Sequence, residues 1–169
     1  FSDADEIPNL NNFMSFFEKN SEKIGIFNQK VFYYKLNLQV LDYKIWEGTR
    51  VTKKKFIKSF SWLRSHVRLK NLKYNFWRFD KFKKIYEITN GGWHFSFLGD
   101  ANSISSKIKS YTHSEYDKEK FTNIQNINER ILNNLDPYDR NKTLKKTTID
   151  RNFPEYLLNN IDYYKDWII

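Results

Sequence analysis

The chain has 169 residues and no cysteine, which excludes disulfides, thiolate zinc sites and cysteine nucleophiles. Its net charge is +9, and a mean hydropathy of −0.76 with 40% apolar residues allows a buried core beneath a strongly polar surface. It lacks an apolar run of about 18 residues, so no transmembrane helix is predicted, and its acidic start does not resemble a signal peptide. We therefore expect a single domain over 1–169, and the absence of cysteine favours the cytoplasm.

The first half of the chain begins with a predicted helix. Leu10, Phe13, Met14 and Phe17 follow helical spacing, which predicts an amphipathic helix over 10–19. Pro8 suits its first turn, and the acids just ahead suit the positive end of the helix dipole. Further along, β-branched and aromatic residues predict two strands, over 31–40 and 44–51. Apolar spacing then predicts a short helix over 53–67.

The second half alternates in the same way. It contains an Asn-Gly-Gly turn signal at 90–92 between two predicted strands, and serines suited to cap a helix near 103. The predicted strands cover 83–88 and 93–98, and the predicted helices cover 103–111, 121–135 and a segment beginning at Pro154. This alternation indicates an α/β fold.

Three carboxylates lie within four positions near the start, on Asp3, Asp5 and Glu6. Aspartates at i and i+2 in a turn can both bind one hard cation, which prefers oxygen ligands. A metal held in this way can stabilise a diphosphate leaving group. The alternative is an acidic cap for the helix over 10–19, and spacing alone favours the cap because two aspartates in three residues are common.

A second candidate segment is residues 91–100. Its two glycines permit close backbone approach, Trp93 offers a flat apolar face, and His94 titrates near neutral pH. Asp100 is the only carboxylate between residues 88 and 114, so it is the candidate general base. The alternative is that Trp93 is an ordinary strand residue and Asp100 an ordinary turn former.

Two further features have competing explanations. His113 and Glu115 could ligate a metal, although a lone histidine of this kind is more often structural or solvated. Residues 50–84 hold thirteen Lys and Arg and one acid, a local net charge of +12, interleaved with aromatic residues. Such a stretch can bind single-stranded nucleic acid, cover an aromatic core with lysine stems, or attract an anionic substrate or membrane. Because no ordered nucleic-acid motif accompanies the charge, nucleic acid is the less favoured partner.

Several motifs in order resemble glycosyltransferase family 17, the family of the β-1,4-mannosyl-glycoprotein β-1,4-N-acetylglucosaminyltransferases. "DADEIP" is similar to the family's D-x-D-E-I-P segment, and "GGWHFSF" to its glycine-tryptophan-histidine strand. "YYKLNL", "WEGT", "KIKSYTHSE" and "PEYLLNN" also look like family segments. The resemblance extends from residue 1 to about residue 160 and rests on the order of the motifs, since each alone is weak.

The resemblance implies the C-terminal portion of a GT-A-like fold, a UDP-GlcNAc-type donor, a glycan acceptor and a divalent metal such as Mn²⁺. Asp3 and Asp5 would be the D-x-D pair, with Asp5 the direct metal ligand and Asp3 directed to the ribose or metal. The other implied site residues are Gly92, Trp93 and His94 at the sugar, Asp100 as base of an inverting displacement, and His113 as a further metal ligand. Residues 50–84 would then face an anionic acceptor or membrane surface.

The family also has a nucleotide-binding half ahead of the D-x-D motif, whereas this sequence begins at that motif. We therefore expect an apolar strand to precede Phe1, and we expect the 169 residues alone to bind the donor poorly. A Golgi or membrane location would follow from an upstream anchor. The alternatives are a nucleic-acid-binding module that uses residues 50–84 and a non-catalytic remnant of the transferase fold.

Overall fold

A computed structural model describes residues 1–19, 24–43, 45–66, 77, 85–110 and 114–169. These residues form a mixed α and β structure, as the alternating pattern predicts. The strands are β1 (Glu6–Pro8), β2 (Ile24–Tyr33), β3 (Leu38–Val40), β4 (Trp46–Thr52), β5 (Ile85–Ser96) and β6 (Leu144–Lys146). The α-helices are α1 (Met14–Lys19), α2 (Phe60–Arg64), α3 (Ala101–Ser110), α4 (Glu119–Thr122), α5 (Ile124–Leu132) and α6 (Glu155–Asn159). Short 3₁₀ helices cover Leu10–Asn12, Lys54–Phe56, Ser114–Tyr116 and Lys165–Trp167.

The chain divides into two compact units. The first comprises Phe1–Lys30 and Ile45–His94, and the second comprises Val31–Lys44 and Phe95–Ile169. In the described part of both units, no helix is long and apolar enough to cross a bilayer.

In the first unit, β5 lies between β1 and β2, and β4 pairs with β2. The pairings of β1 with β5 and of β2 with β4 are antiparallel. Two apolar clusters support this sheet. One contains Phe16, Phe27, Val51 and Ile88, and the other contains Ile24, Ile26, Trp62 and Leu63.

In the second unit, β3 pairs in antiparallel fashion with the end of β2 and with β6. Its core includes the rings of Phe32, Phe95 and Phe153. The ring centroids of Phe95 and Phe153 lie 5.2 and 5.5 Å from that of Phe32. Ile104 and Ile108 are buried on one face of α3. Burying one such stripe is what makes an amphipathic helix stable in a folded chain.

The first predicted helix is partly wrong. Pro8 belongs to β1, and Asn9 rather than the acids caps the following turn, because its side chain accepts a hydrogen bond from the Asn11 amide. The buried face also differs, since Phe16 is buried whereas Leu10 and Met14 are exposed. The acidic-cap interpretation of residues 3–6 is therefore wrong.

Other boundaries differ as well. The Asn-Gly-Gly segment is not a turn, because β5 runs through it without interruption. The predicted strand over 31–40 is interrupted at Tyr34, whose φ is 64°, and the predicted helix over 121–135 breaks at Asn123, which caps α5. The expected helix after Pro154 is shorter, and of its predicted apolar face Leu157 is buried whereas Ile161 is exposed.

Candidate functional site

The two segments that carry the family resemblance are neighbouring strands in the first unit. β1 pairs with β5 so that Glu6 lies opposite His94, and Pro8 lies opposite Gly92. Residues directly opposite in an antiparallel pair project their side chains to the same face of the sheet. The acidic segment and the glycine-tryptophan-histidine segment, some 88 positions apart in sequence, therefore build one surface.

The two glycines of β5 permit this close packing. A Cβ on Gly91 would lie 2.6 Å from the Asn28 backbone nitrogen, and a Cβ on Gly92 would lie 2.1 Å from the Ile7 carbonyl oxygen. Gly92 also has a φ of +127°, which L side chains rarely adopt. The expected close approach is thus present, and the backbone that approaches is that of β2 and β1.

The D-x-D segment forms a tight turn ahead of β1. The Glu6 amide donates to the Asp3 carbonyl at 3.1 Å, and this hydrogen bond closes the turn. The two aspartates have different partners: Asp3 Oδ2 accepts from Arg64 at 3.0 Å, and Asp5 Oδ1 lies 3.6 Å from His94 Nδ1. The Asp3–Arg64 pair is largely exposed and is worth about 0–1 kcal/mol, so a competing ligand can displace it at small cost.

Glu6 is the buried carboxylate of the cluster, with a side chain only 2% exposed. Its oxygens accept hydrogen bonds from Trp46 Nε1 at 3.1 Å, from Thr49 Oγ1 at 3.4 Å and from the Asp3 amide at 3.3 Å. Its Oε1 also lies 4.0 Å from His94 Nδ1. A carboxylate removed from water needs such donors, since burial without them is strongly unfavourable.

The position of His94 is set by an aromatic neighbour and two acids. Its ring stacks on Trp46 with centroids 4.4 Å apart and planes 23° apart. Trp46 is held in turn by its hydrogen bond to Glu6. The imidazole is largely buried, so its orientation follows from this packing and from the flanking Asp5 and Glu6 carboxylates.

A β-bulge in β4 brings Thr49 to the same carboxylate as Trp46. Opposite the single residue between Ile26 and Asn28, β4 has two residues, Gly48 and Thr49. In a regular strand, residues an odd number of positions apart project to opposite faces. The additional residue reverses this alternation, so Trp46 and Thr49 both reach Glu6 although they lie three positions apart.

The Gln29 amide occupies the space beside Gly48 at this bulge. A Cβ on Gly48 would lie 1.9 Å from Gln29 Oε1. Gln29 is 4% exposed, and its Nε2 donates to Thr49 Oγ1 at 3.2 Å. The Thr49 hydroxyl that donates to Glu6 is therefore itself held in place by the Gln29 side chain.

Trp93 lies apart from this cluster. It pairs with Ile7 on β1, so its side chain projects to the face opposite that of His94, and it is 8% exposed. Its assignment to the sugar site stays a prediction, as does that of Gly92, whose observed role is to admit β1.

Asp100 belongs to the second unit, where it precedes α3. Its Oδ1 accepts from the Ser103 amide at 2.8 Å, so Asp100 and not the predicted serines caps this helix. This backbone hydrogen bond holds the pKa of the exposed Asp100 carboxyl below its usual range. The carboxyl is thus ionised at neutral pH, while its assignment as base stays a prediction.

Two predicted features lie wholly or largely outside the described residues. His113 is one of them, and most of the basic stretch is the other, since only 50–66 and residue 77 of it are described. Within the described ranges, no group of three or more His, Asp or Glu side chains is arranged to hold a metal ion.

The D-x-D carboxylates nevertheless have the chemistry of a divalent-cation site. The Asp3 and Asp5 side chains are 32% and 24% exposed, so solvent and ions reach them. Magnesium-like cations are commonly held by one or two carboxylates, with substrate phosphates and water completing the coordination. The donor set therefore fits a metal that arrives with a diphosphate.

Glu6, Trp46 and Thr49 are not recognisable as site residues from the sequence. The motifs "DADEIP" and "WEGT" contained all three, but the first drew attention to its aspartates and the second only to its strand. A buried acid, an indole and a hydroxyl become a set only through strand register and the bulge. Comparison of the chain with protein-family models, curated proteins and solved structures finds no match.

Proposed function

We propose that this chain carries the metal-binding and catalytic residues of a metal-dependent inverting glycosyltransferase with a GT-A-like fold. The donor is a UDP-GlcNAc-type nucleotide sugar, and the acceptor is a glycan hydroxyl. One observation carries the proposal: the D-x-D-E-I-P and G-W-H segments pair directly, with Glu6 opposite His94. Two motifs that resemble one family are then parts of one acidic surface.

In this proposal Asp5 ligates the cation directly, and Asp3 exchanges its exposed Arg64 partner for the metal or the donor ribose. A bound divalent cation would neutralise the charge that develops on the departing diphosphate. Glu6 does not face the donor. It holds Trp46 by a 3.1 Å hydrogen bond, and Trp46 supports the His94 ring beside Asp5.

The transfer itself is a single displacement at the anomeric carbon. The base takes the proton of the acceptor hydroxyl, the acceptor oxygen bonds to the anomeric carbon, and the UDP oxygen leaves with the bonding electrons. The resemblance assigns the base to Asp100 and sugar contacts to Gly92, Trp93 and His94. It also assigns His113 to the metal. These five residue assignments rest on the resemblance alone.

Binding of UDP in the presence of Mn²⁺, measured by calorimetry on the full-length protein, tests the metal site directly. Asp5→Asn should weaken Mn²⁺-dependent UDP binding by tenfold or more, since a charged ligand to the metal is lost. Asp162→Asn is the matched control, because Asp162 is an exposed aspartate of the second unit. UDP binding that is equally strong with EDTA, or unchanged in Asp5→Asn, would refute the proposal.

Activity provides a second test. Release of UDP from UDP-GlcNAc should fall steeply in Asp5→Asn and Asp100→Asn at unchanged melting temperature. A protein that instead binds single-stranded nucleic acid should be indifferent to both substitutions and lose affinity steeply with salt.

A further inference from the structure

The segment 53–60 of the first unit combines exposed apolar side chains with a cluster of lysines. Phe60 is 66% exposed and Ile57 is 38% exposed. Lys54, Lys55 and Lys58 are exposed around them, and the sequence contains no acid between Glu47 and Asp80. We call residues 53–60 the lysine–aromatic segment.

This segment is fixed from beneath, so its exposed residues are not the tip of an unanchored loop. Ser59 caps α2 by accepting from the Trp62 amide at 3.0 Å. Trp62 and Leu63, one turn further on, are 9% and 1% exposed and pack against Ile24 and Ile26. Trp62 and Leu63 thus fill the buried face of α2, whereas Phe60 stays exposed, with its ring stacked on that of Phe1 at a centroid distance of 6.2 Å.

We propose that the lysine–aromatic segment docks the protein on an anionic phospholipid surface. Lysines near such a surface gain electrostatic attraction, and apolar side chains beside them can enter the interfacial region. The charge of the segment requires an anionic partner. Ile57 favours lipid over single-stranded nucleic acid, because an aliphatic side chain gains by burial among acyl chains but has no ring face on which a base can stack. The inference is independent of the proposed function, since none of these residues belongs to the acidic cluster.

Co-sedimentation with phosphatidylcholine vesicles, with and without about a third phosphatidylserine, tests this inference. We expect binding to the anionic vesicles only, with weaker binding at high salt. Lys54→Gln and Lys55→Gln should each reduce the partition coefficient about fivefold. Phe60→Ser should reduce it about tenfold.

Tyr163→Ser and Lys165→Gln are the matched controls, because they remove an aromatic residue 81% exposed and an exposed lysine from another part of the chain. Neither should change the partition coefficient. Equal binding to neutral vesicles, no binding to anionic vesicles, or variants indistinguishable from these controls would overturn the inference.

Ile57→Ser separates lipid from nucleic acid. It should weaken vesicle binding and leave any binding of a single-stranded oligonucleotide unchanged. If oligonucleotide binding is tight, displaces the vesicles and is insensitive to Ile57→Ser, the segment is a nucleic-acid surface and the lipid assignment fails. A loss of UDP binding in any of these variants is not expected, so failure here is distinguishable from failure of the transferase proposal.

Discussion

Replacing Gly92 by alanine tests the contact that brings the two motifs together. The new Cβ would lie 2.1 Å from the Ile7 carbonyl oxygen, whereas such carbon–oxygen contacts are ordinarily about 3.3 Å or longer. β1 would therefore have to move by about 1 Å away from β5. Alanine must also adopt a φ of +127°, which costs about 1–3 kcal/mol.

Crowding of this kind adds about 1–3 kcal/mol, so Gly92→Ala should lower the free energy of unfolding by about 2–6 kcal/mol. The melting temperature should then fall by several degrees at least, at about 2–4 °C per kcal/mol for a chain of this size. Calorimetry or circular dichroism on heating measures the fall directly.

Gly99→Ala is a matched control for backbone strain. Gly99 has nearly the same φ, +132°, but a Cβ there would meet only the Ser103 side chain, at 3.1 Å. It should therefore show the strain penalty without the clash against a backbone. If Gly92→Ala destabilises the protein no more than Gly99→Ala does, β1 is not packed on β5 as described, and the two motifs do not form one surface.

Three further changes test individual carboxylates, of which Glu6 and Asp136 are buried and Asp139 is exposed. Glu6→Gln should lower the free energy of unfolding by about 1–3 kcal/mol, because its amide nitrogen replaces an acceptor with a donor, and the exposed Glu129→Gln should be neutral in the same urea titration. Asp136→Ala should lower the free energy of unfolding, measured by heating, by about 3 kcal/mol, since it leaves an Arg140 guanidinium that is only 30% exposed without its carboxylate partner. A decrease no larger than that of an ordinary surface substitution would contradict this. The pKa of Asp139 is lowered by its hydrogen bond to Lys120 and by Arg130, so its stabilisation is present above the pKa of an unfolded aspartate and is lost as the pH falls through the lower folded value. Urea midpoints measured from neutral to acidic pH should therefore decline less in Asp139→Asn, and parallel curves would refute this assignment.

The sequence predicted those elements in which the buried residues recur at the regular spacing of a helix or a strand. α3 has buried residues at Ala101, Ile104 and Ile108 and was predicted within two residues at its start. β4 was predicted from its β-branched and aromatic residues. Prediction failed where tertiary contacts decide the conformation: Asn-Gly-Gly normally signals a turn, but here Gly91 and Gly92 allow β5 to continue between two close backbones.

The candidate site was predictable only as a list of residues. The resemblance supplied Asp3, Asp5 and His94, and their proximity required the register of β1 and β5. Exposure was not predictable either. Phe60 is exposed whereas Trp62 and Leu63 are buried, because three apolar residues within four consecutive positions of a short helix do not define one face.

The bulge in β4 has a consequence for how this chain tolerates change. The contact of Thr49 with Glu6 depends on the number of residues between Trp46 and Arg50 as well as on their identity. Deleting one residue there would restore a regular strand and place the Thr49 hydroxyl on the opposite face of the sheet. The buried Glu6 carboxylate would then lose one of its hydrogen-bond donors. The number of residues at this point of β4 therefore matters as well as their identity, and a chain one residue shorter here would need another donor for its buried acid.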